Sequence, residues 1–197
     1  DSTGDGAAAL SGVDTVEGFA VDDGGNVYVA GTDSNNVFRI APDGAIVELI
    51  NSLGDGSQSL LQPVHLAVDA SRNLFVAGRQ SDNVFRITPG GVITRVLDAS
   101  GDGVAPFDEP AGLSLDTLGN LYVAASGSVN VFRITPGGSV SQILDAGGDG
   151  VSALAGIPPT RGFVGDGTGT VWVSGRDSAN VFRVAANGEI RVVLDSG

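Results

Sequence analysis

The five-residue sequence Asn-Val-Phe-Arg-Ile occurs three times in this chain, and a fourth time with Val in the last place. The copies are Asn36–Ile40, Asn83–Ile87, Asn130–Ile134 and Asn180–Val184, and successive copies begin 47, 47 and 50 residues apart. Repeats of this length are typical of arrays in which one small structural unit recurs along the chain. We therefore divide the sequence into units 1–50, 51–97, 98–144 and 145–194 of one domain spanning 1–197.

Each unit is predicted to contain four short strands. In the second unit, apolar runs rich in β-branched and aromatic residues cover 64–69, 74–77, 84–87 and 92–97. Turn residues such as Asn73, Asp82 and Gly90 separate these runs, and no stretch shows a helical period. Four strands joined by tight turns in about 47 residues are typical of one β-propeller blade. The prediction is an all-β fold, a β-propeller of four four-stranded antiparallel blades.

Aromatic residues recur in register in the second and third strands of every unit. They are Tyr28, Phe75, Tyr122 and Trp172 in the second strand, and Phe38, Phe85, Phe132 and Phe182 in the third. We expect these side chains to pack between blades rather than to bind a ligand. Three arrangements stay open: a closed four-blade ring, a larger ring formed by two chains, or part of a longer propeller.

The repeat resembles the NHL type of β-propeller repeat over essentially the whole chain. The resemblance rests on Gly54-Asp55-Gly56, on 66–69 and 73–77, and on 82–87, together with their counterparts in the other units. The chain departs from NHL repeats where these commonly carry Asn-His-Arg after the second strand, because it has Asn-Val-Phe-Arg there. Propellers resembling this one include lyases and lactonases, and NHL-like rings usually have six blades, whereas this chain supplies four.

The charge of the chain excludes several classes of partner. It has 23 acidic residues against ten basic ones, all Arg, and a formal net charge of −13. Such a surface repels phosphate backbones and anionic membrane faces, and no apolar run reaches the roughly 20 residues that span a bilayer. We expect no nucleic-acid partner, no membrane insertion, and an extracellular, periplasmic or cell-surface location. The absence of Cys excludes disulfides and thiolate metal sites.

Candidate binding residues lie where the four copies disagree. At the start of the first strand, units carry Glu17-Gly18, Val64-His65, Ala111-Gly112 and Arg161-Gly162. His65, the single His of the chain, replaces a Gly that the other units share. In a propeller the first strands line the central channel, so Glu17, His65 and Arg161 are predicted near its mouth.

The turns between second and third strands are expected on the same face as that mouth. They contribute the further candidates Asp33, Arg79, Arg176 and Asp177. Loops on a rigid scaffold commonly carry function, so we predict that this face binds a protein partner or a small polar ligand. The favoured hypothesis is a non-catalytic binding scaffold, which also suits a homo-oligomer or a subunit of a larger complex.

Two alternatives involve a metal or catalysis. The Gly-Asp-Gly sequences at 4–6, 54–56, 101–103 and 148–150 are oxygen-rich, as calcium loops are, but the bidentate Glu that ends such a loop is missing. We interpret them as turns and expect no cofactor. A lyase or lactonase using His65 or a divalent cation at the channel mouth is the second alternative. Because one His and one acid are few for such a site, we expect a non-enzyme.

Overall fold

The computed structural model describes residues 15–158 and 162–195, and in these residues it contains strands and turns but no helix. The first two blades comprise β1 Val16–Val21, β2 Val27–Gly31, β3 Asn36–Ile40, β4 Ile46–Ile50, β5 Pro63–Val68, β6 Leu74–Gly78, β7 Asn83–Ile87 and β8 Ile93–Leu97. The other two comprise β9 Pro110–Leu115, β10 Leu121–Ala125, β11 Asn130–Ile134, β12 Val140–Leu144, β13 Phe163–Gly165, β14 Val171–Gly175, β15 Asn180–Val184 and β16 Ile190–Leu194.

The sixteen strands form four sheets of four strands each, so blades 1 to 4 are β1–β4, β5–β8, β9–β12 and β13–β16. Within each blade, strands that are consecutive in the sequence pair with one another, and the pairings are antiparallel. The predicted all-β fold with four-stranded antiparallel blades is confirmed. By contacts the chain divides into two compact units, Asp1–Val96 and Leu97–Gly197.

The register of β2 and β3 explains why the aromatic residues repeat. Tyr28 lies opposite Arg39, and Val29 lies opposite Phe38. Since side chains alternate between the faces of a sheet, the Tyr and the Phe of one blade lie on opposite faces. A sheet with two apolar faces is stable only when both are covered, which the stacking of blades provides.

Packing between blades is visible inside each compact unit. In the first unit, Tyr28 and Val37 of blade 1 share one buried cluster with Val76 and Phe85 of blade 2. In the second unit an equivalent cluster joins blades 3 and 4, and it contains Tyr122, Val131, Val173 and Phe182. The prediction that the repeated aromatic residues pack between blades is therefore confirmed for these positions.

A repeated Asp organises the turn after each first strand. Asp22 accepts hydrogen bonds from the backbone of Gly24 and Asn26 and from the hydroxyl of Tyr28. Burial raises the pKa of Asp22, but the hydrogen bonds from Asn26, Tyr28 and Gly24 outweigh burial and hold it below its ordinary value. Asp69, Asp116 and Asp166 accept equivalent backbone hydrogen bonds. The recurrence of this Asp thus reflects turn formation.

The repeated Arg of the third strand has one unpaired donor. The buried Nε atoms of Arg39, Arg86 and Arg133 have no hydrogen-bond partner among the described residues, although the Arg133 side chain lies within hydrogen-bonding reach of the Tyr122 hydroxyl. In these blades the Arg lies opposite the aromatic residue of the second strand. The Arg side chain therefore lies on the same face of the sheet as that aromatic residue.

Candidate functional site

Glu17 and Arg79 form the central contact of the predicted binding face. Glu17 lies in β1 at an irregularity of the pairing, because the register with β2 shifts between Val16 and Gly18. Its Oε2 is 3.6 Å from an Nη atom of Arg79, and the two side chains are 29% and 24% exposed respectively. This ion pair links the first strand of blade 1 with a turn of blade 2.

Arg79 is held in place by its own backbone. It directly follows β6, and its N–H donates to the carbonyl of Gln62 at 2.9 Å. Gln62 has a positive φ of 50°, and its N–H donates to the side chain of Asn35 at 2.8 Å. The loops that flank the ion pair are therefore joined by hydrogen bonds across blades 1 and 2.

A close backbone approach brings the first strands of these blades together. A Cβ atom added at Gly18 would lie only 2.9 Å from the carbonyl oxygen of Val64, so Gly18 permits an approach that a larger residue would prevent. His65 is the residue after Val64. It lies opposite Ala77 in β6, is half-buried, and its Nε2 is buried. His65 therefore lies on the strand next to the one that carries Glu17.

Asp33 lies in the turn after β2, on an exposed part of blade 1. Its carboxylate accepts a hydrogen bond from the hydroxyl of Thr15 at 2.9 Å. The preceding residue, Thr32, is buried, and its hydroxyl donates to the carbonyl of Pro63 at 2.9 Å. Asp33 is thus presented by a turn that is anchored to blade 2.

Sequence reasoning missed Thr32, Asn35 and Gln62, although these residues hold the surface together. A signal was available for Asn35, because Asp82, Val129 and Ala179 replace it in the other units. All four have a positive φ between 48° and 55°, so the backbone conformation at this position is the same although the side chains differ. A comparison of side chains at every turn position, not only at the starts of strands, would have found it.

The remaining described candidates belong to the second compact unit. Arg176 and Asp177 follow β14, and the guanidinium donates to both carboxylate oxygens at 3.0 and 3.2 Å. This hydrogen bonding lowers the pKa of Asp177 and raises that of Arg176. Both side chains are largely exposed, and the pair lies beside Gly156, whose carbonyl accepts from the Arg176 N–H. Arg161 lies outside the described residues.

The structure therefore brings Glu17 together with Arg79, and Arg176 together with Asp177. Asp33 contacts Thr15 rather than another candidate, and His65 lies on the strand beside that of Glu17. Within residues 15–158 and 162–195, no group of three or more His, Cys, Asp or Glu side chains is placed to hold a metal ion. Nor does this part of the chain contain a helix long and apolar enough to cross a membrane.

The Gly-Asp-Gly loops use their carboxylates for backbone hydrogen bonds. Asp102 accepts from the N–H groups of Val104, Ala105 and Gln142 at 2.9 to 3.1 Å. The bonds from Ala105, Gln142 and Val104 hold the pKa of Asp102 below its ordinary value. Asp55 and Asp149 accept comparable bonds, and their pKa values are also lowered. In these three loops the Asp acts as a turn former.

Solved structures of similar fold are β-propellers. Virginiamycin B lyase from Staphylococcus aureus aligns with a TM-score of 0.72 and 18% identity, over 93% of this chain and 56% of that chain. A candidate gluconolactonase aligns at 0.66 and 15% identity, over 91% and 63%. A chain of the nidogen/laminin complex aligns at 0.67 and 17%, over 90% and 64%. These likenesses and the four blades define the chain as a protein of the β-propeller class.

The comparisons reach the fold but no family. No known protein family matches the sequence. No curated protein matches it either. The chain spans a little more than half the length of the lyase with which it aligns. The three named propellers include an enzyme, a candidate enzyme and a chain of a protein complex, so the shared fold is compatible with catalysis and with binding.

Proposed function

We propose that this protein is a binding propeller whose ligand contacts the surface around Glu17 and Arg79. The observation that carries the proposal is the partly exposed ion pair between blades 1 and 2, whose acid Glu17 has no acidic counterpart in the other repeats. Glu17 corresponds to Val64, Ala111 and Arg161, and Arg79 to Thr32, Ser126 and Arg176, so the arginine recurs in one other repeat but the acid does not, and the shared scaffold does not require the pair. Asp33 and His65 extend this surface along the neighbouring turn and strand.

The chemistry of the surface suits a polar ligand with charges of both signs. The carboxylate and the guanidinium are 3.6 Å apart, which is longer than a direct hydrogen bond. Exchanging their mutual contact for contacts with a ligand therefore costs little free energy. An extended segment of a partner protein has such groups, and the presence of a propeller in the nidogen/laminin complex supports a protein ligand. The net charge of −13 supports an extracellular, periplasmic or cell-surface setting.

A displayed random peptide library, selected on the immobilised protein, tests this proposal. Peptides enriched on the wild type should bind Arg79→Gln and Glu17→Gln at least about tenfold more weakly, since each variant removes a charge-assisted contact. Arg191→Gln is the matched control, because Arg191 forms an exposed ion pair with Glu189 on the outer strand β16. Equal binding by the Arg79 variant and the Arg191 variant contradicts the proposed surface.

The second candidate function is a lyase or lactonase, favoured by the position of His65 on the strand beside Glu17 and by the similar fold of virginiamycin B lyase. In this function His65 would act as a general base or would share a divalent cation with Glu17. Crystals soaked in Mn²⁺ test it by anomalous scattering. A cation bound to Glu17 or His65, lost in His65→Ala, would favour the enzyme over the binding propeller.

The proposal includes no cofactor. The carboxylates of Asp55, Asp102 and Asp149 are engaged by backbone N–H groups, which supports turns rather than calcium loops. Under this proposal, calcium and a calcium chelator leave the midpoint of thermal unfolding unchanged.

The proposed class, an NHL-like propeller that also assembles with copies of itself or with other subunits, rests on the repeat pattern and the blade fold. The solution mass from light scattering tests self-assembly against the 19.7 kDa of one chain.

A further inference from the structure

The cleft between blades 3 and 4 is larger than the equivalent cleft between blades 1 and 2. It has a volume of about 250 Å³, and its lining includes Tyr122, Arg133, Gly169 and Ala186. The equivalent cleft between blades 1 and 2 is lined by the corresponding Tyr28 and Arg39 but has a volume of only about 40 Å³. The same tyrosine–arginine pair therefore borders a larger cleft in the second unit, although Tyr122 and Tyr28 are equally buried.

Two substitutions between the repeats open the larger cleft. The first is at the third position after the turn-forming Asp. The second repeat has Arg72 there, which lines the small cleft, and the fourth repeat has Gly169. Pro89 lines the small cleft where the fourth repeat has Ala186. A Cβ atom added at Gly169 would lie 3.2 Å from the hydroxyl of Tyr122 and 3.0 Å from the Cβ of Ala186. The missing side chain at Gly169 is thus what leaves the tyrosine end open.

The cleft offers a half-buried cation to a ligand. Arg133 is the one ionised side chain among the described residues that line it. Its Nε is buried and has no hydrogen-bond partner in the part of the chain that the structure describes. The Tyr122 hydroxyl donates to the carboxylate of Asp116 at 3.1 Å, and the Arg133 side chain lies within hydrogen-bonding reach of the same hydroxyl. A guanidinium has five N–H donors, so the donors of Arg133 that border the cleft can still pair with an anionic ligand.

The size and the walls of the cleft restrict the ligand further. A volume of about 250 Å³ holds roughly eight non-hydrogen atoms at the ~30 Å³ that a water molecule occupies in the liquid. Ile143 and Val184 give the cleft an apolar wall, which suits a short hydrocarbon chain. The planar fork of a guanidinium matches a carboxylate in geometry.

We propose that the cleft between blades 3 and 4 binds a short-chain carboxylate, with its carboxylate on Arg133 and its apolar part against Ile143 and Val184. This site is separate from the surface around Glu17 and Arg79, and it does not depend on the function proposed there. The repeated arginine lies on the same face of the sheet as an aromatic residue in each of three blades, and in blade 3 the open cleft gives it the additional role of binding a ligand.

The test uses sodium butyrate as the probe and follows the backbone amides of the intact protein by NMR. We expect saturable shifts at Gly169 and Ala186. Arg133→Met should weaken binding at least about tenfold, because hydrogen bonds to a charged group contribute more than that factor to affinity. The matched control is Arg39→Met, which removes the same side chain from the small cleft and should leave butyrate binding unchanged.

A second variant keeps the test decisive if Arg133→Met does not fold. Ala186 is exposed, so Ala186→Leu should fold and fill the cleft while Arg133 stays in place, and it should also weaken butyrate binding. Butanamide, which has the same shape without the charge, should bind more weakly than butyrate. The proposal is overturned if no saturable shift occurs, if either cleft variant binds butyrate as the wild type does, or if butanamide or inorganic phosphate binds equally well.

Discussion

In blades 2, 3 and 4, the buried Asn that begins the repeated five-residue sequence fixes the loop in front of its own blade. Asn130 is 2% exposed, its amide donates to the carbonyl of Pro106 at 2.8 Å, and its oxygen accepts from the hydroxyl of Ser128 at 2.8 Å. Asn83 and Asn180 make the same pair of contacts in blades 2 and 4. The repeated sequence therefore records a structural requirement rather than an activity.

Replacing Asn130 by Ala should lower the free energy of unfolding by about 1–3 kcal/mol, because the buried carbonyl of Pro106 loses its donor. Urea unfolding followed by circular dichroism measures the change. The control is Gln80→Ala, which truncates an exposed side chain and should stay within about 0.5 kcal/mol of the wild type. Similar losses in the two variants would contradict the role given to Asn130.

The second prediction at this scale concerns Tyr122. Burial, followed by the hydrogen bond to Asp116, raises the pKa of Tyr122 to about 12. Because this folded-state value lies above the ~10 of an unfolded tyrosine, the contribution to stability is intact below pH ~10 and is lost as the pH rises towards about 12. The chain has two tyrosines, so Tyr28→Phe leaves Tyr122 as the single reporter.

Absorbance of the tyrosinate at rising pH should give a midpoint near 12 for Tyr28→Phe in buffer and near 10 in concentrated urea. Circular dichroism at each pH checks that the protein stays folded. A midpoint near 10 in the folded protein would show that Tyr122 is neither buried nor bonded to Asp116 as described.

Among the elements, the loops before blades 2, 3 and 4 each pack an apolar residue beside the repeated Phe of the third strand. In blade 3 the rings of Phe107 and Phe132 meet edge to face, with 5.8 Å between their centroids and 80° between their planes. Leu60 and Leu154 occupy the corresponding places in the other loops, and both are buried. The position thus requires an apolar side chain of this size, and an aromatic ring is one of two solutions.

Phe107→Ala should lower the free energy of unfolding by about 3–5 kcal/mol, because it leaves a cavity beside Phe132. Phe107→Leu reproduces the neighbouring repeats and should lower it by less than about 1.5 kcal/mol. Denaturant titration of both variants gives the comparison. Equal losses would mean that the ring contact itself, rather than the filled volume, stabilises the loop.

The elements were predictable where the signal lies within one strand or turn. The runs expected at 64–69 and 74–77 correspond to Pro63–Val68 and Leu74–Gly78, because alternation and turn chemistry are local. The pairing of Glu17 with Arg79 was not predicted, since it depends on a register shift in β1 and on two blades meeting. The cleft beside Arg133 was not predicted either. It depends on the lack of a side chain at Gly169 in the next blade, and the sequence of the strand that carries Arg133 contains no information about that position.

For the whole molecule, the balance of charge outweighs individual ion pairs. The described ion pairs of Arg72, Arg79, Arg176 and Arg191 are at least partly exposed, and exposed pairs contribute about 0–1 kcal/mol each. Against them stand 23 acidic residues and a net charge of −13, whose mutual repulsion opposes the compact state. At low ionic strength we therefore expect repulsion to dominate.

Raising NaCl from about 10 to 150 mM shortens the Debye length from about 30 to about 8 Å and should raise the midpoint of thermal unfolding by a few degrees. Scanning calorimetry at about pH 8 measures the rise. Tetramethylammonium chloride at the same ionic strength should act equally, because screening does not depend on which cation is used. The rise should shrink near pH 5, where the net charge falls towards zero as the pI of about 4.1 is approached.

A midpoint of thermal unfolding that falls with salt at pH 8 would show instead that the ion pairs outweigh the repulsion. The pair of Arg79 and Glu17 is the least exposed of them, so it would then be the first to test by substitution.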